Sequence, residues 1–245
     1  MILAGLLAVT TFASSATVVE MQTSQGTITI NLFDKHTPKT VENFLSYVSS
    51  EAYNNTVIHR SVNNFVIQGG GFTYDDEFKA IETSDAVINE PVLSNAKGTI
   101  AMAKLGSDAN SATSQWFFNL KDNSENLDNQ NGGFTVFGQI TQESYAVIDA
   151  IRALTHCGEI PVVDITTEQC ADPSTVITSA NLVSINSVVV LDDDPNSSIN
   201  LSPKESTNSN GDGSNVNPDK SSSGGAIGWF VLPLALLGFK RRRTV

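Results

Sequence analysis

The segment that decides the fold is residues 58–71, which reads IHRSVNNFVIQGGG. Two short β-forming runs, residues 56–60 and 65–68, flank the polar turn SVNN, and this pattern predicts a β-hairpin. Side chains alternate across a strand, so Arg60 and Gln68 can come together on one face among apolar neighbours. An arginine on such a face is costly to desolvate and is therefore usually paired or functional.

The residues on either side of this hairpin predict a mainly β domain with two helices. β-Forming runs alternate with turns along the chain, and two stretches repeat their apolar residues at helical spacing behind a Thr that can act as N-cap. We predict strands at 18–23, 27–33, 98–103, 115–119, 134–140 and 182–190, helices that begin after Thr37 and Thr141, and a polar loop over 72–97.

Three segments of the sequence resemble the active-site signature of the cyclophilins, the peptidyl-prolyl cis-trans isomerases. The first is the hairpin, where HR at 59–60 precedes FVIQGGG. The second is GTIAMA at 98–103 with SQWFF at 114–118, and the third is NLD at 126–128 with FTVFG at 134–138. All three occur in the family's order. The resemblance implies a closed eight-stranded antiparallel β-barrel capped by two helices.

The resemblance also implies an isomerase site in which Arg60 and Gln68 are the catalytic residues. Arg60 would donate a hydrogen bond to the nitrogen of a twisted amide, and Gln68 would hold the backbone carbonyl of the substrate. Rotation about a peptide bond needs no nucleophile and no cofactor. The other implied substrate-binding residues line the proline pocket or hold its neighbours: Phe65, Val66, Ala103, Lys104, Leu105, Gln115, Phe117, Leu127 and Phe134.

The chain departs from the common pattern of the family at the rim of this pocket. Val66 stands where a methionine is usual, and Asn126 stands where eukaryotic members carry a tryptophan. Phe134 occupies the position of a histidine, although bacterial members often carry an aromatic residue there. We therefore expect catalysis to be retained and the ligand preference of the rim to differ.

Charge and composition limit the classes of function. The net charge of −12 argues against a nucleic-acid partner, because a phosphate-binding surface needs clustered Lys and Arg. We predict a monomer whose partners are proline-containing polypeptides. The alternative is a non-catalytic module that binds proline peptides at the cell surface. The presence of both Arg60 and Gln68 favours the enzyme, since binding alone does not require the arginine.

The composition of the two ends predicts further regions beside the domain at 17–191. Residues 1–16 are apolar or small and predict a secretory signal peptide, with a first core strand as the alternative. Residues 192–223 are rich in Asp, Asn, Ser, Pro and Gly and predict a disordered acidic linker. Residues 224–245 join an apolar run to KRRR, which predicts a C-terminal membrane or sorting segment with its basic end in the cytoplasm.

This layout predicts an exported protein at the periplasm or cell surface. The last region resembles the Gly-Gly type of sorting signal in bacterial surface proteins, which a membrane protease cuts near the glycines. A simple membrane anchor is the alternative. The protein would accordingly be tethered to the membrane or released after C-terminal processing.

Cys157 and Cys170 are the two cysteines of the chain. In an exported protein an isolated pair predicts a disulfide, since oxidising compartments favour its formation. The neighbouring His156 raises the alternative of zinc. Two cysteines and one histidine lack a fourth ligand and the usual spacing, so we predict no metal site.

Overall fold

The computed structural model describes residues 17–192 and 202–206, and within them the fold is mainly β, as the sequence predicts. The strands are β1 (Val18–Thr23), β2 (Gly26–Leu32), β3 (Thr56–Val57), β4 (Arg60–Val62), β5 (Val66–Gly69), β6 (Phe72–Asp75), β7 (Glu77–Ala80), β8 (Thr99–Met102), β9 (Trp116–Asn119), β10 (Val136–Ile140), β11 (Thr155–Cys157), β12 (Ile160–Val162) and β13 (Ser184–Asp192). The helices are α1 (Pro38–Ser49), α2 (Ser124–Leu127), α3 (Tyr145–Ala153) and α4 (Thr167–Ala171). The predicted signal peptide and C-terminal segment lie outside the described residues.

The strands form one large sheet and one separate hairpin. The large sheet has 11 strands in the order β4-β5-β9-β8-β10-β2-β1-β13-β3-β6-β7, while β11 pairs with β12. Because the hydrogen-bonded order runs from β4 to β7 without returning, the sheet is a curled half-barrel, where the sequence predicted a closed eight-stranded barrel. The two predicted helices are α1 and α3, and the shorter α2 and α4 were not predicted.

Strand alternation divides the apolar residues between two clusters. In β9, Trp116 and Phe118 belong to the main core together with Phe44 of α1 and Ile151 of α3. Phe117, which lies between them in sequence, belongs to a second cluster on the other face of the sheet. Alternation along β9 therefore puts Phe117 on the face opposite Trp116 and Phe118, and the second cluster becomes the floor of the candidate site.

The structure brings the faces of Arg60 and Gln68 together in the β4–β5 hairpin. Arg60 stands opposite Gln68, and Val62 stands opposite Val66. The turn includes Asn64 at φ 54°, a left-handed conformation that Asn adopts more readily than most residues. The hairpin prediction is confirmed.

The start of α1 differs from the prediction. Proline occupies its first turn as expected, but the side chain of Thr37 makes no capping hydrogen bond. Instead, Glu90 reaches across from the following loop, and its carboxylate accepts from the backbone and the hydroxyl of Thr40 at 2.9 and 2.8 Å. An acidic side chain suits this end of a helix because its free N–H groups and its dipole are positive.

Two stretches predicted to lack regular structure contain hairpins. The polar loop predicted at 72–97 contains β6 and β7, joined through Asp76 at φ 60°. Phe72 and Tyr74 in β6 and Phe78 and Ala80 in β7 alternate with polar residues, but each strand is only four residues long, and the prediction of a polar loop did not use this short signal. The stretch between α3 and β13 contains β11, β12 and α4, and Cys157 and Cys170 form the predicted disulfide, with their Cα atoms 5.0 Å apart.

Residues 202–206 are held on the domain surface, although they lie inside the predicted disordered linker. Leu93 and Glu205 form an antiparallel bridge. The amide of Ser94 donates to the carbonyl of Lys204 at 2.8 Å. The prediction of an unstructured linker therefore does not hold for these five residues.

Residues 17–192 and 202–206 contain neither a membrane-spanning helix nor a cluster of metal ligands. No helix there is long and apolar enough to cross a membrane. No group of three or more His, Cys, Asp or Glu side chains in the same ranges could hold a metal ion.

Candidate active site

The sheet brings the two predicted catalytic residues into one row with an aromatic ring. Arg60 of β4 stands opposite Gln68 of β5, and Gln68 in turn stands opposite Phe117 of β9. Directly opposed residues of antiparallel strands point to the same face. The row is therefore a guanidinium, a carboxamide and a phenyl ring side by side across three strands.

The predicted pocket residues gather beside this row. Phe117 and Phe134 pack edge to face with ring centroids 5.9 Å apart. They belong to the second apolar cluster, and the partly exposed Phe65 packs against it. Because the other predicted pocket side chains in it are almost fully buried, the cluster forms a packed apolar floor against which Phe65 lies. These buried members are Val66, Ala103, Phe117, Leu127 and Phe134.

The side chain of Arg60 is mostly buried and pairs with an acid that sequence reasoning did not identify. The exposed fraction of the Arg60 side chain is 12%, and its Nε donates to Oε2 of Glu159 at 2.6 Å. A guanidinium this far from water needs a counter-charge or hydrogen bonds. Glu159 supplies both from a hairpin 99 residues further along the chain.

Gln68 is oriented by another predicted site residue. Its side-chain nitrogen donates to Oε1 of Gln115 at 2.9 Å, and Gln68 itself is buried. Gln115 precedes β9, so the two amides are joined across neighbouring segments of the sheet. This contact fixes the plane of the Gln68 carboxamide in the row.

His59 adjoins Arg60 and is held in its neutral form. Burial of the imidazole, assisted by the positive charge of Arg60, lowers the pKa of His59 from 6.5 to about 4, and hydrogen bonds to Val57 and Gln115 oppose this only in part. The ring packs edge to face on Phe72 at 4.8 Å. At neutral pH Arg60 therefore has no second cation at its side.

Lys104 differs from its predicted role as part of the main-chain contact to substrate. Its side chain is buried, and the ammonium donates to the carbonyls of Asn131 at 2.8 Å and Gly133 at 2.5 Å. The nitrogen also lies 4.9 Å from the centroid of the Phe134 ring, a cation–π contact. Burial lowers the pKa of Lys104 to about 8. Lys104 therefore fixes the loop that leads into Phe134.

The main chain at 103–105, predicted to hold the residues that flank proline, already makes internal hydrogen bonds. The amide of Ala103 donates to the carbonyl of Gln115 at 2.9 Å. The amide of Leu105 donates to the hydroxyl of Ser111 at 2.8 Å, while its side chain is exposed. A substrate can therefore use these two amides only if they exchange partners.

A buried polar network under the pocket was also not identified from the sequence. The carboxylate of Asp128 accepts from the amide and the side chain of Asn95 at 2.8 and 2.9 Å. Asn95 also donates to the carbonyl of Phe134, and Asn123 donates to that of Phe65. The network therefore fixes the backbone at two pocket aromatics. Its one sequence signal was the NLD motif, which contains Asp128.

The comparisons with known proteins point to one family. The family profile described as cyclophilin type peptidyl-prolyl cis-trans isomerase/CLD matches residues 18–172. The peptidyl-prolyl cis-trans isomerase cyp18 of Streptomyces antibioticus is 45% identical over 142 residues, which cover 56% of this chain and 83% of that protein. Peptidyl-prolyl cis-trans isomerase B of Escherichia coli is 39% identical over 145 residues, covering 56% of this chain and 85% of the relative.

A solved structure extends the likeness to the fold. The crystal structure of a cyclophilin-type peptidyl-prolyl cis-trans isomerase of Cryptosporidium parvum matches with a TM-score of 0.51 and 22% identity. The match covers 72% of this chain and 98% of that one. At this identity the likeness concerns the fold alone.

Proposed function

Because the chain belongs to the family of cyclophilin-type peptidyl-prolyl cis-trans isomerases, we propose that Arg60 and Gln68 carry its isomerase activity at the β4–β5 hairpin. One observation carries the assignment: the row of Arg60, Gln68 and Phe117 lies across three adjacent strands, beside an apolar floor. The row places a hydrogen-bond donor, a polar group for a peptide backbone and an apolar contact for a proline ring together.

The chemistry follows from the amide bond. Partial double-bond character gives rotation a barrier of about 18–20 kcal/mol, and the planar amide nitrogen is a poor hydrogen-bond acceptor. In the twisted state this nitrogen becomes pyramidal and can accept an N–H from Arg60. A hydrogen bond that strengthens only in the twisted state stabilises that state more than the bound planar substrate, and it therefore lowers the barrier to rotation.

The other groups hold the substrate. The carboxamide of Gln68, kept in plane by Gln115, binds a backbone carbonyl of the substrate next to the peptide bond that rotates. The proline ring lies against Phe65 and the packed floor formed by Phe117 and Phe134. No step requires a cofactor or a covalent intermediate.

The test is Arg60→Ala, measured in a protease-coupled proline-isomer assay. We expect kcat/KM to fall by on the order of 10²–10³-fold, as for the loss of one preorganised donor. The Kd of a proline peptide should change much less, because the ground-state nitrogen accepts poorly. Arg60→Lys should restore activity only in part, since an ammonium lacks the planar fork of donors.

The matched control is Arg152→Ala. Arg152 lies on α3, is partly exposed and pairs with Asp149 at 3.2 Å, far in sequence from the row. Its loss should leave kcat/KM unchanged. Equal losses of activity and peptide affinity in Arg60→Ala would assign Arg60 to substrate binding, and full activity would remove it from the mechanism.

The same assay addresses the rival function, a module that binds proline peptides without isomerising them. Such a module would bind the peptide but leave the rate of isomerisation at its uncatalysed value. The burial and pairing of Arg60 support the enzyme, because a display groove has no need of a desolvated guanidinium.

For the fold, we propose that the sheet closes into an eight-stranded barrel. Strands β3 and β4 occupy distant places in the strand order, yet residues 58 and 59 alone separate them in the chain. A single extended segment would therefore join β13 on one side to β5 on the other. The amide of Ile58, which donates to the carbonyl of Val183 at 2.9 Å, supports this continuity.

For the cellular site, we propose export followed by tethering or release through the C-terminal region. The sequence patterns of residues 1–16 and 224–245 support this, together with a disulfide suited to an oxidising compartment. The intact mass of the protein recovered from its host tests both ends. A mass that retains residues 1–16 would refute the signal peptide, and one that retains 240–243 would leave the simple anchor.

A further inference from the structure

The hairpin of β11 and β12 is hydrogen-bonded to β4, the strand that carries Arg60. Its turn residue Glu159 makes two contacts with β4: its carbonyl accepts from the amide of Ser61 at 2.6 Å, and its carboxylate accepts from Nε of Arg60 at 2.6 Å. One residue therefore holds two successive residues of β4, the first through its side chain and the second through its backbone. This hairpin has no part in the function argued so far.

We propose that Glu159 is a positioning residue, which orients the guanidinium of Arg60 for isomerisation. The inference rests on the role of Arg60 proposed above and adds to it the residue through which the protein controls that side chain. Glu159 itself would not touch the substrate. Its carboxylate would act through the orientation and charge of Arg60.

The geometry of the guanidinium explains why a contact at Nε matters. The group is planar, and its five N–H donors have fixed directions within that plane. Once Nε–H points at the Glu159 carboxylate, the side chain cannot rotate freely, and the directions of the Nη donors are set. Charge-assisted bonds of this kind are short and directional. A donor that is already oriented stabilises the lone pair that develops on the amide nitrogen, and no free energy is lost in reorienting it during the reaction.

The hairpin is well anchored for this task. Cys157, two residues before Glu159, is bonded to Cys170 of α4. The N-terminus of α4 is closed by a capping box between Thr166 and Gln169. A third apolar cluster, made of Val57, Val162, Ile165 and Leu182 with both cysteines packed against it, joins the hairpin to the large sheet. Glu159 is therefore presented by a fixed arm, even though its own side chain is 45% exposed.

The test compares Glu159→Ala and Glu159→Gln with wild type for kcat and KM. We expect Glu159→Ala to lower kcat by about tenfold, equivalent to about 1.4 kcal/mol, with little change in KM. Glu159→Gln keeps an acceptor oxygen at the same place and should recover most of the lost rate. Glu168→Ala is the control and should leave kcat unchanged. Glu168 is an exposed acid in the first turn of α4, the helix joined to the β11–β12 hairpin by the disulfide.

A double-mutant cycle with Arg60→Ala separates positioning from a structural role. If Glu159 acts through Arg60, adding Glu159→Ala to Arg60→Ala should cause no further loss of kcat. A further loss in that background would show that Glu159 supports the fold and would overturn the inference. Urea unfolding of each variant establishes that the compared proteins are folded.

The outcomes also distinguish this inference from the function on which it rests. Full activity of Glu159→Ala with loss of activity in Arg60→Ala would overturn the role of Glu159 and leave the role of Arg60 standing. Full activity of Arg60→Ala would overturn both. A loss in Glu159→Ala that appears only in KM would also contradict positioning, because it would place Glu159 in substrate binding.

Discussion

The pKa of His59 predicts that this residue makes the fold sensitive to acid. Burial of the imidazole, with the charge of Arg60 next to it, lowers the pKa from 6.5 to about 4. Between these values the unfolded chain binds a proton at His59 and the folded protein does not. Stability from this residue is therefore fully present above about pH 6.5 and is lost as the pH falls toward 4.

The magnitude follows from the two pKa values. One pKa unit corresponds to about 1.4 kcal/mol, so a fall from 6.5 to about 4 corresponds to roughly 3 kcal/mol of unfolding free energy. This is a large share of the usual stability of one domain, which is about 5–15 kcal/mol. His59 should thus contribute a substantial part of the acid sensitivity of the protein.

The assay is urea unfolding of wild type and His59→Gln at several pH values between 7 and 4. Gln cannot titrate, so the free energy of unfolding of the variant should fall by roughly 3 kcal/mol less than that of wild type over this range. His36→Gln is the control for the same replacement of histidine by glutamine at an exposed position. Equal pH dependence in wild type and His59→Gln would refute the reasoning.

Three further predictions concern the pocket loop, a glycine and the disulfide. Burial lowers the pKa of Lys104 to about 8, so the ammonium loses its proton as the pH passes 8, and KM of the wild type should rise there. Lys104→Met has no ammonium at any pH and should have a high KM at every pH from 7 to 9. Gly70→Ala should lower the free energy of unfolding in urea by about 2 kcal/mol or more. Gly70 has φ +75°, and the new Cβ would lie 2.5 Å from the indole nitrogen of Trp116 and 2.9 Å from the carbonyl oxygen of Ser114. Gly106→Ala, with nothing within 4 Å, is its control, and equal stability of the two would contradict the argument. Replacing Cys157 and Cys170 by Ser should cost about 3 kcal/mol of stability in the chain-entropy model and lower kcat in the same direction as Glu159→Ala; unchanged stability would refute it.

The sequence predicted those features whose pattern is complete within a few residues. The polar turn between two β-forming runs was enough to predict the β4–β5 hairpin, whereas its register came from the structure. Alternation along β9 was enough to separate Trp116 and Phe118 from Phe117. The disulfide also followed from the sequence, since two cysteines allow a single intramolecular pairing.

Features that depend on where loops run could not be predicted. The acid that closes the start of α1 is Glu90, about 50 residues from the amide it binds, and the sequence instead favoured the adjacent Thr37. The ammonium of Lys104 reaches carbonyls 27 and 29 residues away, where the resemblance to the family implied only a main-chain contact to substrate. The strands β6 and β7 have four residues each, and so short an alternation of apolar and polar residues did not distinguish them from the polar loop around them.

The sequence by itself therefore determined the mainly β class, the helices α1 and α3, the β4–β5 hairpin and the two faces of β9. Only the tertiary structure decided which partner each buried polar group has, and the clearest case is Glu159 on Arg60. The physical reason is that the direction of side chains repeats every two residues in a strand and about every 3.6 in a helix, so apolar periodicity can be detected among neighbouring residues. A salt bridge between residues 99 positions apart leaves no such repeat. It forms because the large sheet and the β11–β12 hairpin, held by the disulfide, bring Nε of Arg60 within 2.6 Å of Oε2 of Glu159.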